Sequence, residues 1–170
     1  MVRVDHVLSS WKGIRADTIA AVEEFPAGEF NFRPIAELAA FGEIAYHILM
    51  AGHGLTGLLL AGETDLTGPE FRERMKPHLC DVRQDAGAAE LAAALGASIE
   101  QRTGELAAQP AEFWDQIVRR MDGQELTRLE MVQSIKEHEL THRQQLFTYL
   151  RLKGIVPATT RRRLARQAAK

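Results

Sequence analysis

Cysteine is almost absent. Cys80 is the only one in 170 residues, so no intrachain disulfide and no cysteine-based zinc site can be built. A lone thiol fits a reducing compartment. Charge of one sign is absent as well. Lysine and arginine number 21 against 23 acidic residues, a formal net charge of −2, whereas a general nucleic-acid binder is strongly basic. Nucleic acid is therefore not an expected partner. No continuous apolar run follows the opening Met1-Val2-Arg3-Val4-Asp5-His6, which argues against a secretory leader. The one membrane-like stretch, residues 44–62, contains His47, His53 and four glycines. Two imidazoles at the centre of a lone span would be costly. The stretch reads as a buried core helix, no membrane association is expected, and the expected location is the cytoplasm. Strand-like alternation is missing too.

What is present is helical spacing in a chain of one-domain size. Hydrophobic residues make up 45% and charged residues 26%, enough to bury a core without a staple. Val4, Val7, Leu8, Trp11, Ile14, Thr18, Ala21, Val22 and Phe25 form a first three-four stripe, closed by Pro26 and Gly28. A linker carrying Asn31-Phe32-Arg33-Pro34 leads to a second helix over about 39–62, with Phe41, Ile44, Ile48, Ala51, Leu55, Leu58 and Leu59 on its stripe. Residues 63–87 hold Gly68-Pro69, Pro77 and Gly87 and read as a long connection with a short helix near 70–75. A third long helix spans about 88–109, ended by Pro110. Residues 112–120 are expected to add a helical turn or two, and Asp122-Gly123 marks a turn.

The last long helix starts at Thr127, with Glu130 in capping-box spacing, and runs to Lys153 before Gly154 and Pro157. Four amphipathic segments without strands predict an all-α four-helix bundle over residues 1–157. Residues 158–170 carry four arginines and a lysine with no acid and are expected to be a flexible basic tail, with an anionic partner as the alternative role.

The chemistry concentrates in His138-Glu139-Leu140-Thr141-His142. Four-residue spacing puts both imidazoles on one side of a helix. At about 100° per residue they share the sector of Met131, Ile135, Leu146 and Tyr149, and are expected to point into the bundle. His47 lies at the edge of the second helix's stripe, while His53 falls opposite Ile44 and is expected to face solvent. His6 and His78 have no stripe argument. Three converging imidazoles, His47, His138 and His142, suit Zn²⁺, Ni²⁺ or Fe²⁺, and three protein ligands leave a position open.

The pentapeptide also matches the zincin motif H-E-x-x-H with Glu139 as general base. A gluzincin needs a further acidic ligand downstream, and no Asp or Glu follows Glu139; the metzincin extension is replaced by Arg143-Gln144-Gln145. A di-iron bundle needs a second Glu-x-x-His, which is missing. Cys80 sits in a connection with no predicted base beside it and reads as a small apolar filler.

His47, then His138-x-x-x-His142-Arg143, Gln145-Leu146, and Tyr149-Leu150-Arg151 before Gly154 and Pro157 resemble the DinB/YfiT-like bundle proteins. Asn31-x-Arg33-Pro34 resembles the segment that leads into that family's second helix. The resemblance covers the chain to about Pro157, with Gln144 standing where the family often has glycine. It implies an up-down-down-up bundle, a divalent metal on the histidine triplet, and a homodimer. A dimer would also cover Leu58, Leu59 and Leu60, which one stripe cannot bury together. Enzymes of that family include S-transferases dependent on a low-molecular-weight thiol and the thiol-dependent maleylpyruvate isomerase. The expectation is a metal-dependent enzyme acting on a small molecule, as a thiol S-transferase or a related hydrolase or isomerase, with Glu139 or Gln145 orienting thiol or water. A non-catalytic metal- or ligand-binding stress bundle is the alternative.

Overall fold

In a computed structural model, which describes residues 2–169, the four apolar stripes become four long helices. α1 is Val4–Glu24, and it stops at Phe25, which is extended because Pro26 follows. α2 is Phe41–Leu60; Glu43 accepts the Ala40 N–H at 2.7 Å and so satisfies one free donor of its first turn. The connection to the next long helix carries α3, Glu70–Met75, where a short helix is expected. α4 is Ala88–Ala107 and α5 a single turn at Ala111–Trp114. α6, Arg128–Leu152, opens on the Thr127/Glu130 capping box, with the Glu130 N–H on Thr127 Oγ1 at 3.2 Å and the Thr127 N–H on Glu130 at 2.7 Å. Gly154, at φ +74°, ends it.

α1 and α2 each pack against both α4 and α6 and are diagonal to one another. Side-chain pairs give the directions. Lys12 meets Glu100 while Arg15 meets Leu95, so α1 and α4 are antiparallel. Trp11 and Thr18 flank Glu139 and Asp17 meets Arg143, so α1 and α6 are parallel. α2 runs against α6, with Phe41 near Tyr149 and His47 near His138. The order is up-down-down-up. Parallel neighbours α2 and α4 require the long crossover over 61–87.

Apolar side chains form two cores stacked along the bundle. One holds Phe25, Phe41, Leu95, Leu146 and Leu150; the other holds Trp11, Leu59, Leu106, Phe113 and Ile135. Between them lies a polar layer of Arg15, Thr18 and Glu139 on one side and His53 with Ser98 on the other.

Three expectations are corrected. The residues after α5 form a two-stranded antiparallel hairpin, β1 (Ile117–Arg119) and β2 (Glu125–Thr127), around Asp122-Gly123. Strands of three residues are too short for alternation to register. The hairpin is tied to the α2–α3 connection by Leu66 N–H to Arg119 O at 2.8 Å and Arg119 N–H to Thr64 O at 2.7 Å. The basic C-terminal residues form α7 (Ala158–Ala168), and Arg161 and Arg162 return to Glu24 and Asp17 of α1. Leu58 and Leu59 are fully buried within this chain and Leu60 is half-buried. α2 is enclosed on nearly all sides, so that run calls for no second copy; the expected dimer rests on the resemblance alone. Among the described residues, no helix is long and apolar enough to cross a membrane.

Candidate metal centre

Antiparallel packing of α2 and α6 brings His47 opposite His138 and His142. The Nε2 atoms converge. His47 Nε2 lies 3.1 Å from His138 Nε2, and His142 Nε2 lies 3.0 Å from it. Bonds of about 2.0–2.1 Å in a tetrahedral set place nitrogens about 3.3–3.4 Å apart, so the spacing is close to that of a shared ligand position. Hydrogen bonds cannot satisfy the trio. Each ring nitrogen carries one proton or one lone pair, and His138 Nε2 faces two partners. The cluster contains no carboxylate.

His142 Nδ1 is 2.7 Å from the Gln145 side-chain oxygen. That oxygen is an acceptor, so Nδ1–H donates and the His142 Nε2 lone pair turns towards the centre. Burial pushes the His138 imidazolium down to about 4, assisted by the neighbouring His142 and His47. Burial, then His142, lowers His47 as well. Both rings are neutral near pH 7, the state a metal requires. Three imidazole donors without a carboxylate fit a borderline divalent ion.

The histidines sit in a groove rather than in the core. His138 and His142 are half-buried and His47 is exposed. This corrects the inward placement. Taking Ile135 as zero, Glu139 falls at about +40°, among the buried Leu146, Val132 and Leu150, and His138 at about −60°, just outside the buried sector; His142, at about −20°, shares the sector of buried Met131 and Tyr149, so its exposure comes from the local packing and not from its angle. Glu139, only 2% exposed, occupies the inner face.

Residues 1–169 match the DinB family by sequence. The chain belongs to the DinB family. Among solved structures, a DinB-like protein (YjoA) of Bacillus subtilis aligns with 19% identity and a TM-score of 0.68, over 88% of this chain and 92% of that one. YfiT of Bacillus subtilis, described as a probable metal-dependent hydrolase with an unusual four-helix bundle topology, aligns at 14% identity and 0.69, over 89% and 88%. The mycothiol-dependent maleylpyruvate isomerase aligns at 13% and 0.64, over 85% of this chain and 61% of its own length. At these identities the likeness establishes the fold. No curated protein matches by sequence.

Within this DinB bundle, Glu139 is removed from any role as base. Arg15 Nε and Nη2 donate to its two oxygens at 2.7 and 2.8 Å, Trp11 Nε1 at 2.7 Å and Thr18 Oγ1 at 2.9 Å. Four donors occupy the carboxylate. The expectation that Glu139 orients a thiol or water is therefore corrected. Gln145 is placed at the site, but its oxygen bonds His142. The angular count held the signal for Glu139: a carboxylate at the centre of an apolar stripe demands buried partners.

His53 is the other correction. It is 7% exposed, not solvent-facing, with Nδ1 3.0 Å from Ser98 Oγ. Gly54 and Gly57 lie beside it, and a Cβ at either would come within 2.7 or 2.6 Å of Met75 or His78. Those glycines let the α3 segment sit flush on the face of α2 away from the stripe. His53 stands apart from the cluster of His47, His138 and His142. Cys80 is half-buried, and burial raises its thiol above the usual range, which fits a filler and not a nucleophile.

A cleft of about 580 Å³ opens beside His47 and His138, walled by α2, α3, the β1–β2 turn and α6. A groove of about 650 Å³ elsewhere is lined by Arg33, Glu43, Arg83 and Asp85, which pair with one another.

Proposed function

We propose that this DinB protein is a divalent-metal-dependent enzyme acting on a small molecule, as a thiol-dependent S-transferase or a related hydrolase or isomerase. One observation carries the reading: three Nε2 atoms, at spacings of 3.0 and 3.1 Å, have no hydrogen-bonding solution of their own, and two of the rings, His47 and His138, border a cleft of small-molecule size. His47, His138 and His142 would hold the ion. The chemistry supplied there would be a lowered pKa for a thiol or water near the ion, which favours nucleophilic attack near neutral pH. The chain's own residues do the rest. Gln145 fixes the His142 tautomer, and the Arg15–Glu139 pair sets the register of α6 against α1. Apolar side chains of the cleft would lie against the substrate's body. YfiT as a probable metal-dependent hydrolase and the mycothiol-dependent isomerase support the reaction classes.

The test is element analysis of the purified chain with a thiol-transfer assay on a generic electrophile, using several low-molecular-weight thiols. About one ion per chain and metal-dependent turnover are expected. A bound ion with no turnover for any thiol or hydrolysable ester would move the protein to a non-catalytic metal-binding bundle.

A further inference from the structure

The cleft beside His47 and His138 has a charge pattern of its own. Leu55, Phe71, Met75, Met131 and Ile135 make it apolar, and Arg72 and Arg120 are its two cations besides the histidines. The arginines differ in circumstance. Arg120 is committed: it bonds Asp122, Gln124 and Ser134, and the Asp122 carboxylate matches its charge. Arg72 has no ion-pair partner among the described residues. The other cations of that segment are paired, Arg74 with Glu63 and Lys76 with Glu73. An apolar cleft with one unmatched guanidinium selects a ligand with one matching negative charge.

The cleft wall is also held in place. Gly54 lets Met75 lie directly on α2, since a Cβ there would sit 2.7 Å from Met75 Cγ. A pocket whose wall is fixed before binding loses less freedom when filled.

We propose that this cleft binds an amphipathic monocarboxylate. Its carboxylate rests on Arg72, its apolar body lies against Phe71, Met75 and Ile135, and its far end faces His47 and His138. The proposal rests on the metal-centre reading for what happens at that far end, but not for the recognition of the anion.

Calorimetric titration with 4-phenylbutyrate, its neutral amide and the corresponding phosphate monoester tests this, with and without chelator. The acid should bind about five- to tenfold more tightly than the amide, and the phosphate no more tightly than the acid. R72Q, at an exposed position, should bring acid and amide within about twofold. G54A should weaken both together by displacing Met75. The preference for the acid should survive chelation. Equal binding of acid and amide, a preference that survives R72Q, a preference present only with metal, a tighter phosphate, or no saturable binding would each overturn the proposal. A chain that takes up no divalent ion when one is supplied, yet whose acid preference is lost in R72Q, would defeat the metal reading and leave this one standing.

Discussion

His138 and Glu139 are neighbours in the chain and end in opposite circumstances. Glu139 points at α1, where four donors at 2.7–2.9 Å occupy both oxygens and the carboxylate is buried. His138 points into a groove, where its Nε2 faces two other imidazole nitrogens and no carboxylate. A polar cluster that is closed and fully bonded has nothing left to bind, and its work is to hold helices in register. A cluster that is open and short of partners has capacity for a ligand. One pentapeptide serves both ends because successive helical residues are about 100° apart.

The largest expected effect lies on the closed side. Glu139→Ala leaves the Arg15 guanidinium, 1% exposed, without its counter-charge. Removing one partner of a buried pair costs about 3–5 kcal/mol. His138→Ala in metal-free protein should cost less than about 1 kcal/mol, because the ring is only half-buried and lacks satisfied bonds. Urea denaturation of both variants without metal checks this. Similar losses for the two would erase the distinction between the clusters.

On the open side the expected effect is on occupancy. His142→Ala should lower metal affinity by more than about 100-fold, since two imidazoles are a poor site for a borderline ion. His53→Asn should keep one ion per chain while losing stability, because His53 is buried against Ser98 and away from the cluster. Element analysis after dialysis separates them. Equal loss of metal from both would show that the two histidine environments are coupled.

These assignments mark how far the sequence can be read. The four long helices, α3, the Thr127 cap and the one-turn spacing of His138 and His142 follow from spacing and end signals, which are local. The hairpin escaped because three-residue strands carry no period. The burial of His53 escaped because one stripe describes one face, while α2 is enclosed by α3 and α4 as well; Gly54 and Gly57, which admit the α3 segment, were the only trace. α7 escaped because a run of arginines reads as solvated until Glu24 and Asp17 are brought beside it. The inward reading of the histidines failed because a helical angle locates a face, not the place along it where neighbouring helices leave a groove.

Acid should bear on His138 in the open cluster and on His53 buried apart from it. Burial holds His138 and His53 at about 4, with neighbouring His142 and His47 adding to the first and Arg102 to the second. Unfolded imidazoles titrate near about 6.5. Between those values the unfolded chain binds more protons than the fold, so metal-free stability falls as pH drops through that window. A fall in melting temperature of roughly 2–8 °C from pH 7 to 5 is expected for a chain of this size. His53→Asn should flatten part of it. Added metal should raise the melting temperature near neutral pH, with an increment that shrinks on acidification because protons compete for the same nitrogens. Melts identical with and without chelator at every pH would defeat the metal reading.

The smallest expected effect separates a ligand from the residue that orients it. Gln145 is exposed and touches the centre only through His142, whose Nδ1–H it accepts at 2.7 Å. Gln145→Leu removes that acceptor, so His142 divides between two tautomers, one of which puts a proton on Nε2 where the lone pair is needed. Metal affinity should fall about tenfold, at the low end for such supporting residues because water can replace the lost acceptor. Gln145→Glu restores an acceptor and should return affinity to the starting value or better, as a carboxylate makes the imidazole more basic. Neither change should alter the melting temperature of metal-free protein by more than about 2 °C, since the side chain is exposed. Competition with a chelating dye reads the affinities. An unchanged affinity for the leucine variant would mean that the turn spacing of His138 and His142 alone presents the lone pairs, and that the open cluster needs no outer support.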